Sequence, residues 1–374
     1  MRKIIIISFL ILFAALVGIF HIQREQVDTD VTAKTTKVGV LLSGPRLDRS
    51  YCQSHYEALE AIKGKGEHKL NLDVVYREYV PSDCYNEIVS LVRDEGCRIV
   101  IGVSFDYGPS MIKAAEAYPD VYFLHAAGAA GYRHNLSTFF GRMYQARYLS
   151  GIVAGMKTKT GELGYVAAFQ IPEVIRGINA FTLGVRSVRP DAVVHVRYCG
   201  SWVEDDPARK ESMELLNRHP IDVMAMHTNS LAPMEEADKR GIWSIGYNLD
   251  NADLFPNSCL TSCVWNRRNS YYKLIKDCLQ EKFHGDHVWI DMEEGIVGLS
   301  EFSAQVDPQT RVMVQAANDR LRSWEYDVFY GPIRDNTGLL RVDAGESMTD
   351  DEMLKSFDWY VEGVAVEGQG MGGA

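Results

Sequence analysis

The chain has 374 residues, 46% hydrophobic and 24% charged, and a formal net charge of −11. That length and composition suit a soluble globular protein of about two domains, and the lack of short repeats or low-complexity tracts excludes solenoids and fibres. The acidic balance, with Arg267-Arg268 the densest basic cluster, disfavours phosphate backbones, so no nucleic-acid partner is expected.

In chain order, Arg2 and Lys3 precede an apolar run of 17 residues, 4–20, broken only by Ser8 and Gly18. A positive start and an apolar stretch of this kind predict export to the periplasm or cell surface. The run is also near the short limit for a membrane span, about 17–25 residues. A signal peptide and a membrane anchor both fit. No small-x-small site follows, because Gly18 leads into Ile19 and Phe20, and the first cysteine, Cys52, comes too late for a lipid anchor. Polar residues 21–36 read as a linker.

Residues 37–43, KVGVLLS, read as a buried parallel strand feeding a loop. A helix is predicted over 54–62, a strand over 72–76, a helix over 83–95 and a strand over 98–102. A helix over 108–118 and a strand over 121–124 follow. The same alternation restarts after Gly161. Strands are predicted at 163–168, 192–198, 222–226 and 243–246, with helices at 174–188, 207–218 and 234–240. Such alternation predicts βαβ units and parallel sheets. The expected fold is α/β: two doubly wound lobes joined by a hinge. The first lobe is expected over 37–157, with 264–285 and 324–374 returning to it. The second is expected over 158–263, with 286–323 added. A strand at 260–265, a helix at 270–283 and further strands at 295–302 and 327–332 complete the reading.

Ligands of open parallel sheets sit beyond the carboxyl ends of the strands, so the strand-end loops are the candidate site. The first, GPRLDRSYC, carries Asp48 and Tyr51. A carboxylate beside a ring suits a flat heterocycle with N–H donors, and it equally suits a helix cap with a packed ring. Ser104, Phe105 and Asp106 follow the third strand, where capping is again the competing role. Gly128 follows the fourth, where small residues let a ligand approach the backbone. In the second lobe, Phe169, Trp202, His227, Asn229, Asn248 and Asp250 occupy the corresponding loops. Trp202 is placed as a stacking plate opposite Tyr51.

Nothing in the sequence calls for catalysis. There is no GxSxG, HExxH or phosphate loop, and the ten histidines show no metal-ligand spacing. The seven cysteines include no CxxC pair and read mainly as small buried hydrophobes. No cofactor, metal or catalytic residue is expected.

The stretches GPRLDRSYCQSHYEAL, AEAYPDVYFLHAAG, GRMYQARYLSGIVAG, TKTGELGYVAAFQIPEVIRGINAFTLGVRSVRPDA and DVMAMHTNS strongly resemble the basic membrane protein family. These are substrate-binding proteins of ABC importers, several of which bind purines or purine nucleosides. The resemblance spans the chain from about Lys37 to Val364. It implies the type I periplasmic binding protein fold and a base held between two aromatic plates, here Tyr51 and Trp202. Asp48, Asn229, Asn248 and Asp250 would read its edge. Cys52 stands where many members carry Asn, and Asn248 where the last loop often carries Asp. The missing lipid-carrying cysteine near the start is the third departure. The resemblance implies a small-molecule ligand, a purine or nucleoside, and an ABC permease as partner. A membrane-anchored sensor reporting to a signalling partner is the alternative, and a nucleoside-processing enzyme a remote one.

Overall fold

The computed structural model describes residues 34–127, 131–325 and 327–368. The expected signal or anchor, residues 4–20, and the candidate contact Gly128 lie outside them. None of the described helices is long and apolar enough to cross a membrane.

The first lobe is built on strands β1 (Thr36–Leu41), β2 (Leu72–Arg77), β3 (Ile99–Gly102), β4 (Tyr122–Ala126) and β5 (Leu136–Gly141). With β11 (His287–Ile290) they form a six-stranded parallel sheet in the order β11-β5-β4-β3-β1-β2. The buried part of β1, residues 38–41, and the whole of β3 are short, continuous apolar runs. Helices α1 (Tyr51–Ile62), α2 (Tyr85–Arg93) and α3 (Gly108–Ala117) connect its strands.

The second lobe takes β6 (Glu162–Ala167), β7 (Val193–Tyr198), β8 (Val223–His227), β9 (Trp243–Asn248) and β10 (Cys259–Trp265). With β12 (Val297–Leu299) and β15 (Val364–Val366) they make a seven-stranded sheet ordered β12-β10-β9-β8-β6-β7-β15. It is parallel except for β12, which runs antiparallel to β10.

The chain crosses between lobes at points other than those expected. Helix α4 (Met143–Lys157), assigned by sequence to the first lobe, packs on α5 (Pro172–Val188) of the second. The approach is close because glycines face it. A Cβ at Gly151 would stand 2.1 Å from the Phe181 carbonyl oxygen, and one at Gly184 2.0 Å from that of Tyr148. Helices α6 (Asp205–Arg218) and α7 (Ala232–Arg240) flank the second sheet, and α8 (Arg268–Leu279) returns to pack on α1 of the first lobe. Strand β11 then joins the first sheet, where the second was expected. β12 and helix α9 (Pro308–Arg322) go back to the second lobe, α9 resting on α4.

The final stretch, expected on the first lobe, instead lies mainly on the second. Helix α10 (Asp350–Lys355) packs on α5, and β15 pairs with β7. Residues 327–332 form no strand. The short pair β13 (Ile333–Arg334) and β14 (Leu340–Val342) follows them. Periodicity sets where a strand forms but carries no information on which sheet receives it. A late edge strand can satisfy its backbone on either sheet.

Candidate functional site

The strand-end loops of the two lobes enclose a cleft of about 260 Å³. The first lobe contributes Ser43 after β1, Tyr51 at the start of α1, Val103 to Asp106 after β3, Ala127 after β4 and Phe140 on β5. The second contributes Phe169 and Glu173 after β6, the turn from Gly200 to Val203 after β7, Asn229 after β8 and Tyr247 on β9. Six aromatic rings therefore meet at one cavity. Phe169 and Trp202 touch edge to face at 5.6 Å and 62°. The arrangement follows from parallel strands, which deliver all their carboxyl-end loops to one side of each sheet.

Tyr51, Ser104, Phe105, Asp106, Phe169, Trp202 and Asn229, all singled out in the sequence, line this cleft. Tyr51 from one lobe and Trp202 from the other thus share it. The other described candidates lie behind the lining or away from it.

Asp48 secures the first turn of α1. Its carboxylate accepts from the backbone N–H groups of Ser50 (2.8 Å), Cys52 (3.0 Å) and Gln53 (3.0 Å). This is the capping alternative left open by the sequence. The Cys52 thiol is wholly buried, 3.8 Å from the Ser43 hydroxyl, and burial pushes its pKa up to about 12. Among the described residues no cysteine is in a disulfide.

Asn248 is also wholly buried, with a left-handed φ of 73° that asparagine tolerates better than most residues. Its amide donates to Ser50 Oγ (2.9 Å) and Asn229 Oδ1 (3.0 Å), and its carbonyl accepts from the Trp265 indole (3.0 Å). It therefore ties the first turn of α1 to the second lobe. Asp250 is exposed and accepts from the Ala252 N–H at 3.0 Å.

The residue missed by sequence reasoning is Glu173. Its loop was noted for Phe169, yet the carboxylate is the better-placed polar group. Burial works to raise its pKa. The His227 hydrogen bond and the charges of Arg176 and Arg147 outweigh that and hold it below the usual carboxylate value. His227, fully buried, stands behind it with Nε2 3.4 Å from Glu173 Oε1. Burial first, then the charge of Arg147, pushes its imidazole down to about 4. At neutral pH the pair is thus a carboxylate and a neutral imidazole. His227 Nδ1 has no hydrogen-bond partner and packs against Gly177, where a Cβ would lie 2.8 Å away.

Arg147 completes this layer. Its Nη1 donates to the Met226 carbonyl at 2.6 Å, and its guanidinium covers the Tyr247 ring at 4.0 Å. The signals for Glu173 and Tyr247 were their strand-end positions. Phe140 escaped because β5 was not read as a strand.

The arrangement is suited to recognition. An anionic acceptor among ring faces can hold a flat molecule with N–H donors. Among the described residues, no serine hydroxyl of the cleft bonds to a histidine, and His227 is occupied with Glu173.

Comparison with known proteins finds relatives named for binding small molecules of different kinds. Residues 35–322 match the family described as ABC transporter substrate-binding protein PnrA-like. A purine-binding protein of Brucella abortus is 31% identical over 88% of this chain and 92% of its own length. A Haloferax volcanii protein, provisionally named a glucose-binding component of an ABC transporter, is 31% identical over 86% of this chain and 78% of its own. The solved structure of an ABC transporter solute-binding protein from Aeropyrum pernix superposes with a TM-score of 0.67 at 18% identity. That match covers 86% of this chain and 98% of the other, and it shows the shared fold.

Proposed function

The chain belongs to the PnrA-like family of ABC transporter substrate-binding proteins, and on that footing we propose that it captures a purine base or nucleoside in the interlobe cleft and delivers it to an ABC permease. Substrate-binding proteins of ABC importers act outside the cytoplasm, and export through residues 4–20 is part of this proposal.

The observation that carries the ligand class is Glu173, an anionic acceptor held among the aromatic faces of the cleft. A purine presents ring faces for stacking and N–H donors at its edge. A sugar presents neither an aromatic face nor a ring N–H. The purine-binding name of the Brucella relative points the same way. Affinity would come from stacking and the exclusion of water, and selectivity from Glu173, Asn229 and the cleft hydroxyls. Closure of the lobes on a ligand touching both walls shifts an open–closed equilibrium and presents one conformation to the permease.

Calorimetric titration with adenine, guanine, hypoxanthine, their nucleosides and glucose tests the proposal. Micromolar or tighter binding of at least one purine, without binding of glucose, is the expected result. Glucose binding with no heat from any purine would overturn the ligand class.

A further inference from the structure

A second, smaller cavity of about 140 Å³ adjoins the cleft. Phe105, Ala127, Phe140 and Glu173 line both spaces. Beyond them this annex is walled by Ile171 and Pro172 at the start of α5 and by Leu354 on α10, and Arg176 and His287 complete the lining. Leu354 comes from the segment after residue 322, where the family match ends.

That last wall is held from both lobes. Arg142, directly after β5, pairs through both terminal nitrogens with Asp350 at the start of α10, at 2.8 and 2.5 Å. Arg176, on α5, donates to the Met353 carbonyl at 2.5 Å. Leu354, the next residue, is therefore presented to the annex by a helix tied to each lobe. A wall ordered before the ligand arrives adds little to the entropy cost of binding.

The polar groups of the annex are already engaged. Arg176 is bonded to Met353, and Glu173 meets His227 at 3.4 Å on its far side from the ligand. His287 Nδ1 lies 2.6 Å from the Thr138 hydroxyl, and its Nε2 is covered by protein and not offered to a ligand. Burial, the largest influence on this imidazole, holds it below its ordinary pKa and so neutral at neutral pH. What the annex offers is carbon: Phe105, Phe140, Ile171, Pro172 and Leu354. A cavity of roughly 150 Å³ lined by aliphatic and aromatic side chains admits a benzene ring, so there is room for one group of that size. A ribose placed here would bury hydroxyls against Ile171, Pro172 and Leu354, which disfavours it.

We propose that the annex receives an apolar arm, about the size of a phenyl ring, carried on an exocyclic nitrogen of the purine in the cleft; this rests on the purine reading above. Glu173 is the reason for that attachment point, since it lines both spaces. An exocyclic amine with one carbon substituent keeps one N–H to donate to the Glu173 carboxylate, while its arm continues past that residue. The preferred ligand is then a purine alkylated or benzylated on its amino group, and the unmodified base fills only part of the site.

Calorimetric titration of the full chain with adenine, adenosine and 6-benzylaminopurine tests this. The benzylated purine should bind about ten- to a hundred-fold more tightly than adenine, the gain from burying one aromatic ring. In Leu354→Trp, whose indole occupies the annex, that gain should vanish. Ile171→Phe narrows the annex from α5 and should shrink the same gain, which keeps the test open if the first variant fails to fold. Adenine binding with no gain from the benzyl group, or a gain that survives in both variants, would overturn the annex and leave the purine reading standing. Heat from none of the three compounds would overturn both. A loss of adenosine affinity on filling the annex, with the benzyl gain intact, would make it a sugar subsite and end the proposal.

Discussion

The two walls of the cleft come from equivalent strand-end loops, yet they differ in kind. The first-lobe wall presents rings and hydroxyls, Tyr51, Phe105, Phe140, Ser43 and Ser104, and its carboxylate, Asp106, is exposed. The second-lobe wall has a charged layer behind it: Glu173 toward the ligand, then His227, Arg147 and Arg176. Charges already desolvated by folding need no further reorganisation when a ligand arrives. The second lobe thus sets a fixed electrostatic pattern, and the first closes an aromatic face over it.

The largest expected effect tests that pattern through pH. With a folded pKa of about 4 against about 6.5 when unfolded, His227 stays neutral in the native state while the unfolded chain takes up a proton. Stability should therefore fall as pH drops from about 6.5 to 4, by up to about 3 kcal/mol from this residue. His55, buried in the first lobe and also held well below its usual value, loses stability in the same direction. Glu173, held low, adds its own loss only as pH falls through its folded pKa, below the unfolded value of about 4.3. Urea midpoints measured from pH 7.5 to 4.5 should drop, and His227→Gln should flatten the curve. An unchanged slope in that variant would mean the imidazole is not kept neutral.

Glu173→Gln comes next. It removes the anion, leaves Arg147 and Arg176 without their shared partner, and should weaken purine binding by about 1.5–3 kcal/mol. Asp106→Asn on the opposite wall should change affinity by less than about three-fold, the range of an ordinary surface substitution. Equal losses in the two variants would erase the distinction between the walls. Trp202→Ala, removing one ring from the charged side, should cost about 1–3 kcal/mol of binding if the base stacks there. Unchanged affinity with an intact fold would remove Trp202 from the contact surface.

What could be read in the sequence divides along physical lines. The strands of both sheets up to β4 and from β6 to β10 were legible, because a buried parallel strand is a short apolar run between turn residues. β5, with Ser137 and Thr138 buried inside LSTFFG, broke that pattern and went unread. The cleft was legible as a set of loops, since strand polarity fixes where they emerge. Which side chain in each loop faces the cavity was not. Asp48 and Glu173 are both carboxylates in strand-end loops. Only the backbone path shows that the first turns back onto three amides and the second projects into the cleft. The crossings at α4 and β11 were hidden for a related reason. Amphipathicity states that a face must be buried, and leaves open which lobe buries it.

The smallest effect concerns Cys52, a candidate contact by resemblance that the structure places behind the first-lobe wall. Its thiol is fully buried beside Ser43, and burial holds it protonated, so it acts there as a small apolar group with a weak donor. Cys52→Ala removes one heavy atom from a packed layer and should lower stability by about 1 kcal/mol, the scale of a minor core truncation. Purine affinity should stay within about two-fold, because Tyr51, one residue earlier, keeps its place through the Asp48 bonds that fix the first turn of α1. Paired urea and calorimetric titrations separate the two quantities. A large loss of affinity with unchanged stability would put the thiol in contact with ligand after all. The wall would then move on closure, bringing a second layer of the first lobe into the site.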